Sequence, residues 1–181
     1  MDSKIKKIIN PANFLTFTRF ILIPVFVWAF ATKSNWVGVF LITYSGFIDG
    51  IDGKVARYFD CSTTFGEFFD AISDAFLFLA AFTAAAIYGY ANPLHVAIFL
   101  ILGVINALGR VIFVKKTGRV TNFRSYASEI LGAVSFWTIA ALYLDFYIKP
   151  LMLVLITMSF MIVVHDYYRI LTYPPLEKKN V

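Results

Sequence analysis

Long apolar segments alternate with short polar ones along the whole chain, and each apolar segment is long enough to cross a membrane as a helix. Because an α-helix rises about 1.5 Å per residue, about 20 apolar residues span a hydrocarbon core about 30 Å thick. The pattern therefore predicts an all-α integral membrane protein with six transmembrane helices. These helices are predicted at residues 12–31, 36–59, 64–90, 94–114, 126–147 and 150–170.

Composition supports this class, because 60% of the 181 residues are hydrophobic and 20 of them are Phe. Such a chain is too evenly apolar for a soluble domain with one anchor. We expect a single membrane-embedded domain over residues 1–181, with a short interfacial helix before Pro11 and a flexible tail over residues 174–181. A lone cysteine, Cys61, excludes an intramolecular disulfide.

The basic residues predict how the chain is oriented in the membrane. Lys33 and Lys149 fall on one side of the predicted helices, Arg19 lies within the first, and all the other Lys and Arg residues fall on the opposite side. By the positive-inside rule both termini are cytoplasmic. Basic residues spread in this way, rather than clustered on a soluble face, do not indicate nucleic-acid binding.

Four aspartates break the apolar pattern and carry the candidate chemistry. Asp49 and Asp52 lie about 60° apart on one predicted helix, and Asp70 and Asp74 lie about 40° apart on the next. A helix cap at Thr64 and a short turn make these two helices antiparallel neighbours, which allows the four acids to meet at one depth. Clustered anions at membrane depth need a cation, and hard divalent metals prefer oxygen ligands. The spacing predicts a metal site near the cytoplasmic boundary.

The same stretch resembles the signature of the CDP-alcohol phosphotransferase (CDP-alcohol phosphatidyltransferase) family, D-x-x-D-G-x-x-A-R-x8-G-x3-D-x3-D. Eight fixed positions match over residues 49–74, which is far more specific than a lone glycine motif. The matching residues are Asp49, Asp52, Gly53, Ala56, Arg57, Gly66, Asp70 and Asp74.

The resemblance implies an enzyme of phospholipid biosynthesis that transfers a phosphatidyl or related group from a CDP-linked lipid to an alcohol and releases CMP. It implies that the four aspartates hold one or two Mg²⁺ or Mn²⁺ ions, and that Asp74 is the general base. It places Gly53, Ala56, Arg57 and Gly66 beside the CDP-lipid. It also implies a homodimer.

The acceptor is less well determined by the sequence. The run from Asn13 to Arg19 resembles the phosphatidylglycerophosphate synthases of this family, which favours glycerol 3-phosphate. Asp70-Ala-Ile-Ser-Asp74-Ala departs from their usual Asp-Pro-x-x-Asp-Lys, so inositol phosphate or serine stays open. Basic residues suited to a phosphorylated acceptor, which the positive-inside rule also explains, are Arg110, Lys115, Lys116, Arg119 and Arg124.

Other charged residues have two interpretations each. Arg19 either snorkels to the interface or faces a polar cavity, and the resemblance favours the cavity. Lys54 and Arg57 are the basic residues near the four acids in the sequence. His165 with Asp166, and Glu129, are interpreted first as polar helix ends and only second as acceptor contacts.

Two other functions use acids within a membrane. A divalent-cation transporter needs an acidic path through the bilayer, and the outer halves of the second to fourth predicted helices carry no acidic residue. A prenyltransferase also binds a lipid diphosphate through Mg²⁺ and aspartates, but its chemistry does not call for the spacing of Gly53, Arg57 and Gly66.

Overall fold

The computed structural model describes residues 11–58, 63–117, 126–144 and 149–172. Every regular element in these ranges is an α-helix, and there are six. They are α1 (Pro11–Ala31), α2 (Asn35–Tyr58), α3 (Thr64–Ile87), α4 (Pro93–Thr117), α5 (Tyr126–Tyr143) and α6 (Lys149–Thr172). The predicted all-α class is confirmed, whereas the interfacial helix before Pro11 and the tail over residues 174–181 lie outside the described residues.

Four of the six helices are long and apolar enough to cross a membrane, namely α1, α3, α4 and α6. Helix α2 is continuous, but its second half is polar, and the apolar stretch of α5 is shorter, over Ala127–Tyr143. Large apolar side chains such as Trp28, Trp36 and Phe40 lie exposed on the helix surfaces, as expected where lipid replaces water. The chain is an integral membrane protein. Six spans and a cytoplasmic location of both termini stay predictions.

The described residues divide into two compact units. The first contains α1, α2, α3 and residues 136–143 of α5. Within it, α1 packs extensively against both α2 and α3. Arg19 of α1 contacts acids on both of these helices. Direct packing of α2 against α3 stays a prediction.

Helix α3 begins at Thr64, and its N-cap lies one residue before the predicted cap. Thr63, in an extended conformation, is the N-cap, and its hydroxyl oxygen accepts a hydrogen bond of 3.0 Å from the backbone N–H of Gly66. The prediction of a cap at Thr64 is wrong, because two adjacent threonines offer the same side chain and only the backbone conformation selects one. Asp70 and Asp74 follow within the next three turns.

The second unit contains α4, residues 126–135 of α5, and α6. Helix α4 packs along α6, whose buried stripe recurs every three or four residues. The Tyr167 ring lies against Gly109, where an added Cβ would come within 3.0 Å of it, and its hydroxyl donates to the carbonyl of Ile105 over 3.2 Å. Gly109 therefore allows the two helices to approach closely.

Candidate metal and substrate site

Three carboxylates from two helices converge in the first unit. Asp49 lies on α2, and Asp70 and Asp74 lie one turn apart on α3. Each offers an oxygen such that all three oxygens lie within 4.8 Å of one another. The side chains are 36%, 18% and 20% exposed, respectively, so the cluster is partly shielded without being closed to solutes. The side chain of Asp52, the fourth predicted ligand, lies outside the described residues.

Arg19, on α1, lies among these three acids. Its side chain is fully buried. Its Nη2 donates to Oδ1 of Asp70 over 2.5 Å, and its Nη1 donates to Oδ1 of Asp74. The same Nη1 lies 3.5 Å from Oδ1 of Asp49. A planar guanidinium is well suited to link several carboxylates, because its N–H groups point in fixed, diverging directions.

Arg19 faces inward because it lies on the packed face of α1. Thr16, Phe26 and Phe30 are buried on this face, with spacings close to whole helical turns from Arg19. Next to Arg19, the Phe20 ring stacks on Phe69 of α3 with 5.4 Å between ring centroids. This aromatic contact attaches α1 to α3 beside the acids.

Lys54 and Arg57 are the basic residues near the acids in the sequence, but in space Arg19 also lies there, in contact with acids on two helices. Arg19 precedes Asp70 by 51 residues, so no local spacing points to the contact. One signal was available: Thr16 and Arg19 are polar residues about 60° apart on an otherwise apolar helix. Polar residues inside a membrane helix usually face protein rather than lipid.

The donor set fits a divalent metal ion. Carboxylate oxygens are hard ligands of the kind that Mg²⁺ and Mn²⁺ prefer, and the three oxygens are close enough to share one ion. Three carboxylates exceed the charge of one guanidinium, and the net negative charge attracts a divalent cation.

Comparison with known proteins identifies the family. The CDP-alcohol phosphatidyltransferase family model matches residues 9–171, which is most of the chain. The match covers all six helices except the last residue of α6. The chain belongs to the CDP-alcohol phosphatidyltransferase family. The resemblance found in residues 49–74 is thereby confirmed.

Individual relatives match a shorter part of the chain than the family model does. A CDP-diacylglycerol–glycerol-3-phosphate 3-phosphatidyltransferase from Rickettsia felis is 35% identical over 71 residues, and one from Haemophilus influenzae is 38% identical over 75 residues. These matches cover 38% and 40% of this chain, and 39% and 40% of the relatives. An archaetidylinositol phosphate synthase from Methanothermobacter thermautotrophicus is 36% identical over 74 residues, covering 41% of this chain and 38% of the relative. The chain thus spans about two fifths of the length of the curated relatives it matches.

The residues predicted to border the CDP-lipid lie on the same two helices as the acids. Gly53, Ala56 and Arg57 are in the last turns of α2, and their side-chain environments lie outside the described residues. Gly66 is in the first turn of α3, where its backbone N–H is held by Thr63. Their place in the helices agrees with the motif, while their contact with a nucleotide stays a prediction.

Of the residues predicted to bind the acceptor, those that the structure describes lie in α4 of the second unit. Lys115 is exposed in the last turn of α4. Lys116 donates from Nζ to the carbonyl of Ile170 over 2.5 Å, so its ammonium group neutralises the end of α6. Arg110 lies in α4, but its side chain is outside the described residues, as are Arg119 and Arg124 altogether.

The pair His165 and Asp166 differs from a simple polar helix end. His165 is 58% exposed, but Asp166 is only 1% exposed and lies on the buried stripe of α6 between Ile162 and Ile170. His165 Nδ1 and Asp166 Oδ1 are 3.3 Å apart. The sequence carried a signal for this burial, because Asp166 is four residues from each of those isoleucines. Glu129 is exposed in the first turn of α5, as a polar helix end would be.

Proposed function

We propose that this protein is a metal-dependent enzyme of phospholipid biosynthesis that transfers the phosphatidyl group of CDP-diacylglycerol to glycerol 3-phosphate and releases CMP. The observation that carries the proposal is the convergence of Asp49, Asp70 and Asp74 within the matched family region. Relatives named for this reaction support the choice of glycerol 3-phosphate.

The proposed site holds Mg²⁺ or Mn²⁺ through Asp49, Asp52, Asp70 and Asp74. When bound, one or two such ions neutralise charge on the diphosphate and on the departing CMP. Gly53, Ala56 and Gly66 lack bulky side chains, which lets the nucleotide approach the backbone closely. The proposed role of Arg57 is to bind a phosphate through paired hydrogen bonds.

In the transfer itself, the acceptor hydroxyl oxygen attacks the β-phosphorus of CDP-diacylglycerol. The bond between that phosphorus and the oxygen that bridges it to the α-phosphate breaks, and CMP leaves with the bond electrons. Asp74 accepts the hydroxyl proton as the new P–O bond forms, and the proton then passes to solvent. This role suits a carboxylate that is only one-fifth exposed, beside the other acids.

The remaining features of the proposal concern the membrane. We infer a single domain over residues 1–181, six spans, cytoplasmic termini and an active site on the cytoplasmic side, supported by the distribution of Lys and Arg residues. The lipid tails of the substrate then stay in the bilayer while its diphosphate reaches the acids. A homodimer is proposed from family resemblance alone.

The test is CMP release by the purified protein from CDP-diacylglycerol with Mg²⁺ and one acceptor at a time. Glycerol 3-phosphate is expected to give the fastest release, and EDTA is expected to stop it. If CMP release is fastest with inositol phosphate, the reaction stands and inositol phosphate is the acceptor. The name of the archaeal relative makes this the second candidate. Absence of CMP release with every alcohol, combined with cation flux in liposomes, would favour a transporter.

The acceptor site is tested separately through Arg110. We expect Arg110→Ala to raise the KM for glycerol 3-phosphate about tenfold with little change in kcat, because a lost phosphate contact weakens binding. Lys33→Ala is the matched control, since it removes a basic residue from the turn between α1 and α2. Equal KM values for the two variants would remove Arg110 from the acceptor site.

A further inference from the structure

Arg19 contacts the same three side chains that form the candidate metal site. Its Nη2 bonds Asp70, and its Nη1 bonds Asp74 and lies 3.5 Å from Oδ1 of Asp49. The cluster that would bind a divalent ion is therefore already neutralised in part by an internal cation. This arrangement needs an explanation beyond helix packing, because a fully buried arginine is costly unless its charge is matched.

A guanidinium and a divalent ion compete for this cluster. An ion binds carboxylate oxygens directly, at about 2.0–2.6 Å, and Arg19 already contacts Oδ1 of Asp70 and of Asp74. Two cations among three acids also repel each other, and at such separations this repulsion changes an equilibrium constant by orders of magnitude. Full contact of all three acids with Arg19 and full coordination of an ion by the same acids therefore exclude each other.

We propose that Arg19 is an internal counter-cation that holds the acids together in the metal-free protein and is displaced from them when a divalent ion binds. This inference rests on the metal site of the proposed function. Arg19 is then a positioning residue with two opposite effects. It stabilises the metal-free protein, because it prevents Asp70 and Asp74 from repelling each other, and it weakens metal binding, because the ion must replace it.

The test is equilibrium binding of Mn²⁺ to purified protein without substrate, followed by the electron paramagnetic resonance signal of free Mn²⁺. Arg19→Gln is expected to bind Mn²⁺ at least about tenfold more tightly than wild type, because a nearby positive charge is lost. Arg19→Lys, which keeps a charge with fewer donors, is expected to lie between them. In EDTA, Arg19→Gln is expected to melt at a lower temperature, and Mn²⁺ is expected to restore the loss.

Lys54→Gln is the matched control, because Lys54 is an exposed cation on α2, five residues from Asp49. An exposed charge is screened, so Mn²⁺ affinity is expected to change less than about twofold. A purely structural arginine would lower stability in Arg19→Gln without tightening Mn²⁺ binding, and that result would overturn the proposal.

The outcomes separate this inference from the proposed function. If wild type binds Mn²⁺, Asp74→Asn weakens the binding, and Arg19→Gln binds equally or less well than wild type, the counter-cation role is wrong and the metal site stands. If wild type and all variants fail to bind Mn²⁺, both are wrong. If Arg19→Gln does not accumulate, the Mn²⁺ affinity of Arg19→Lys is compared with that of wild type. Equal or weaker Mn²⁺ binding by Arg19→Lys would then overturn the proposal.

Discussion

Helix α1 is held by charge in one region and by aromatic packing in another. At Arg19 it contacts three acids, whereas at Phe26 and Phe30 it contacts Tyr143 of α5. Phe26 lies seven residues beyond Arg19, about 10 Å along the helix axis. Two distinct ways of joining helices therefore occur within a short length of the same element.

The aromatic region is closely packed and fully buried. The Tyr143 ring stacks on Phe30 with 4.0 Å between centroids, and its hydroxyl donates to the carbonyl of Phe26 over 2.9 Å. On α2, a Cβ at Gly38 would overlap the ring. In the charged region, by contrast, the three acids are partly exposed and like charges are held together by one guanidinium.

The comparison teaches that the aromatic region of α1 serves stability alone, whereas the charged region also serves chemistry. Close packing of neutral groups stabilises one region, and any added atom there causes overlap. The charged region holds like charges that repel one another, and a divalent ion that binds between them relieves this repulsion. Substitutions in the aromatic region should consequently change stability alone, whereas those in the charged region should also change metal binding or turnover.

The largest expected effect is that of Asp74→Asn on turnover. We expect kcat to fall about a thousandfold, because an amide cannot accept the acceptor proton, while much of the CDP-lipid binding is retained. CMP release and equilibrium binding of CDP-diacylglycerol measure the two quantities. Glu129→Gln, a similar change at an exposed acid of α5, should keep wild-type turnover. Full activity of Asp74→Asn would contradict the assignment of the base.

A smaller effect, on stability instead of chemistry, is expected for Gly38→Ala. The new Cβ would overlap the Tyr143 ring, so the unfolding free energy should fall by about 1–3 kcal/mol. Gly103→Ala is the matched control, because no atom lies within 4 Å of its added Cβ. Thermal unfolding in detergent compares the two, and Mn²⁺ affinity should be unchanged in both. Equal stability of the two variants would show that the aromatic region is loosely packed.

The smallest expected effect is that of Tyr143→Phe, which removes only the hydrogen bond to Phe26. The unfolding free energy should fall by about 1 kcal/mol, the usual net contribution of one such bond. Tyr168→Phe makes the same chemical change at an exposed tyrosine of α6 and should leave stability unaltered. A loss of turnover in Tyr143→Phe without a loss of stability would break the proposed separation of the two regions.

Much of the fold could be predicted from local features of the sequence. Helix lengths follow from the lengths of the apolar runs, and the ends at Ala31 and near Tyr58 agree within a residue. Helix α5 ends at Tyr143 rather than at the predicted Tyr147, with residues 145–148 outside the described part. Apolarity continues past the last helical turn there, so hydrophobic length alone could not locate the end.

The candidate site could likewise be predicted only in part from the sequence. The sequence alone predicted that Asp70 and Asp74 share one face of a helix, because helical periodicity is a local property. It also predicted that these acids and Asp49 need a cation. Only the tertiary structure decided that α1 packs against both acidic helices and that Arg19 is the cation among them. Helix α1 is apolar on nearly every side, so its sequence does not determine its rotation; contacts with residues more than 50 positions away do.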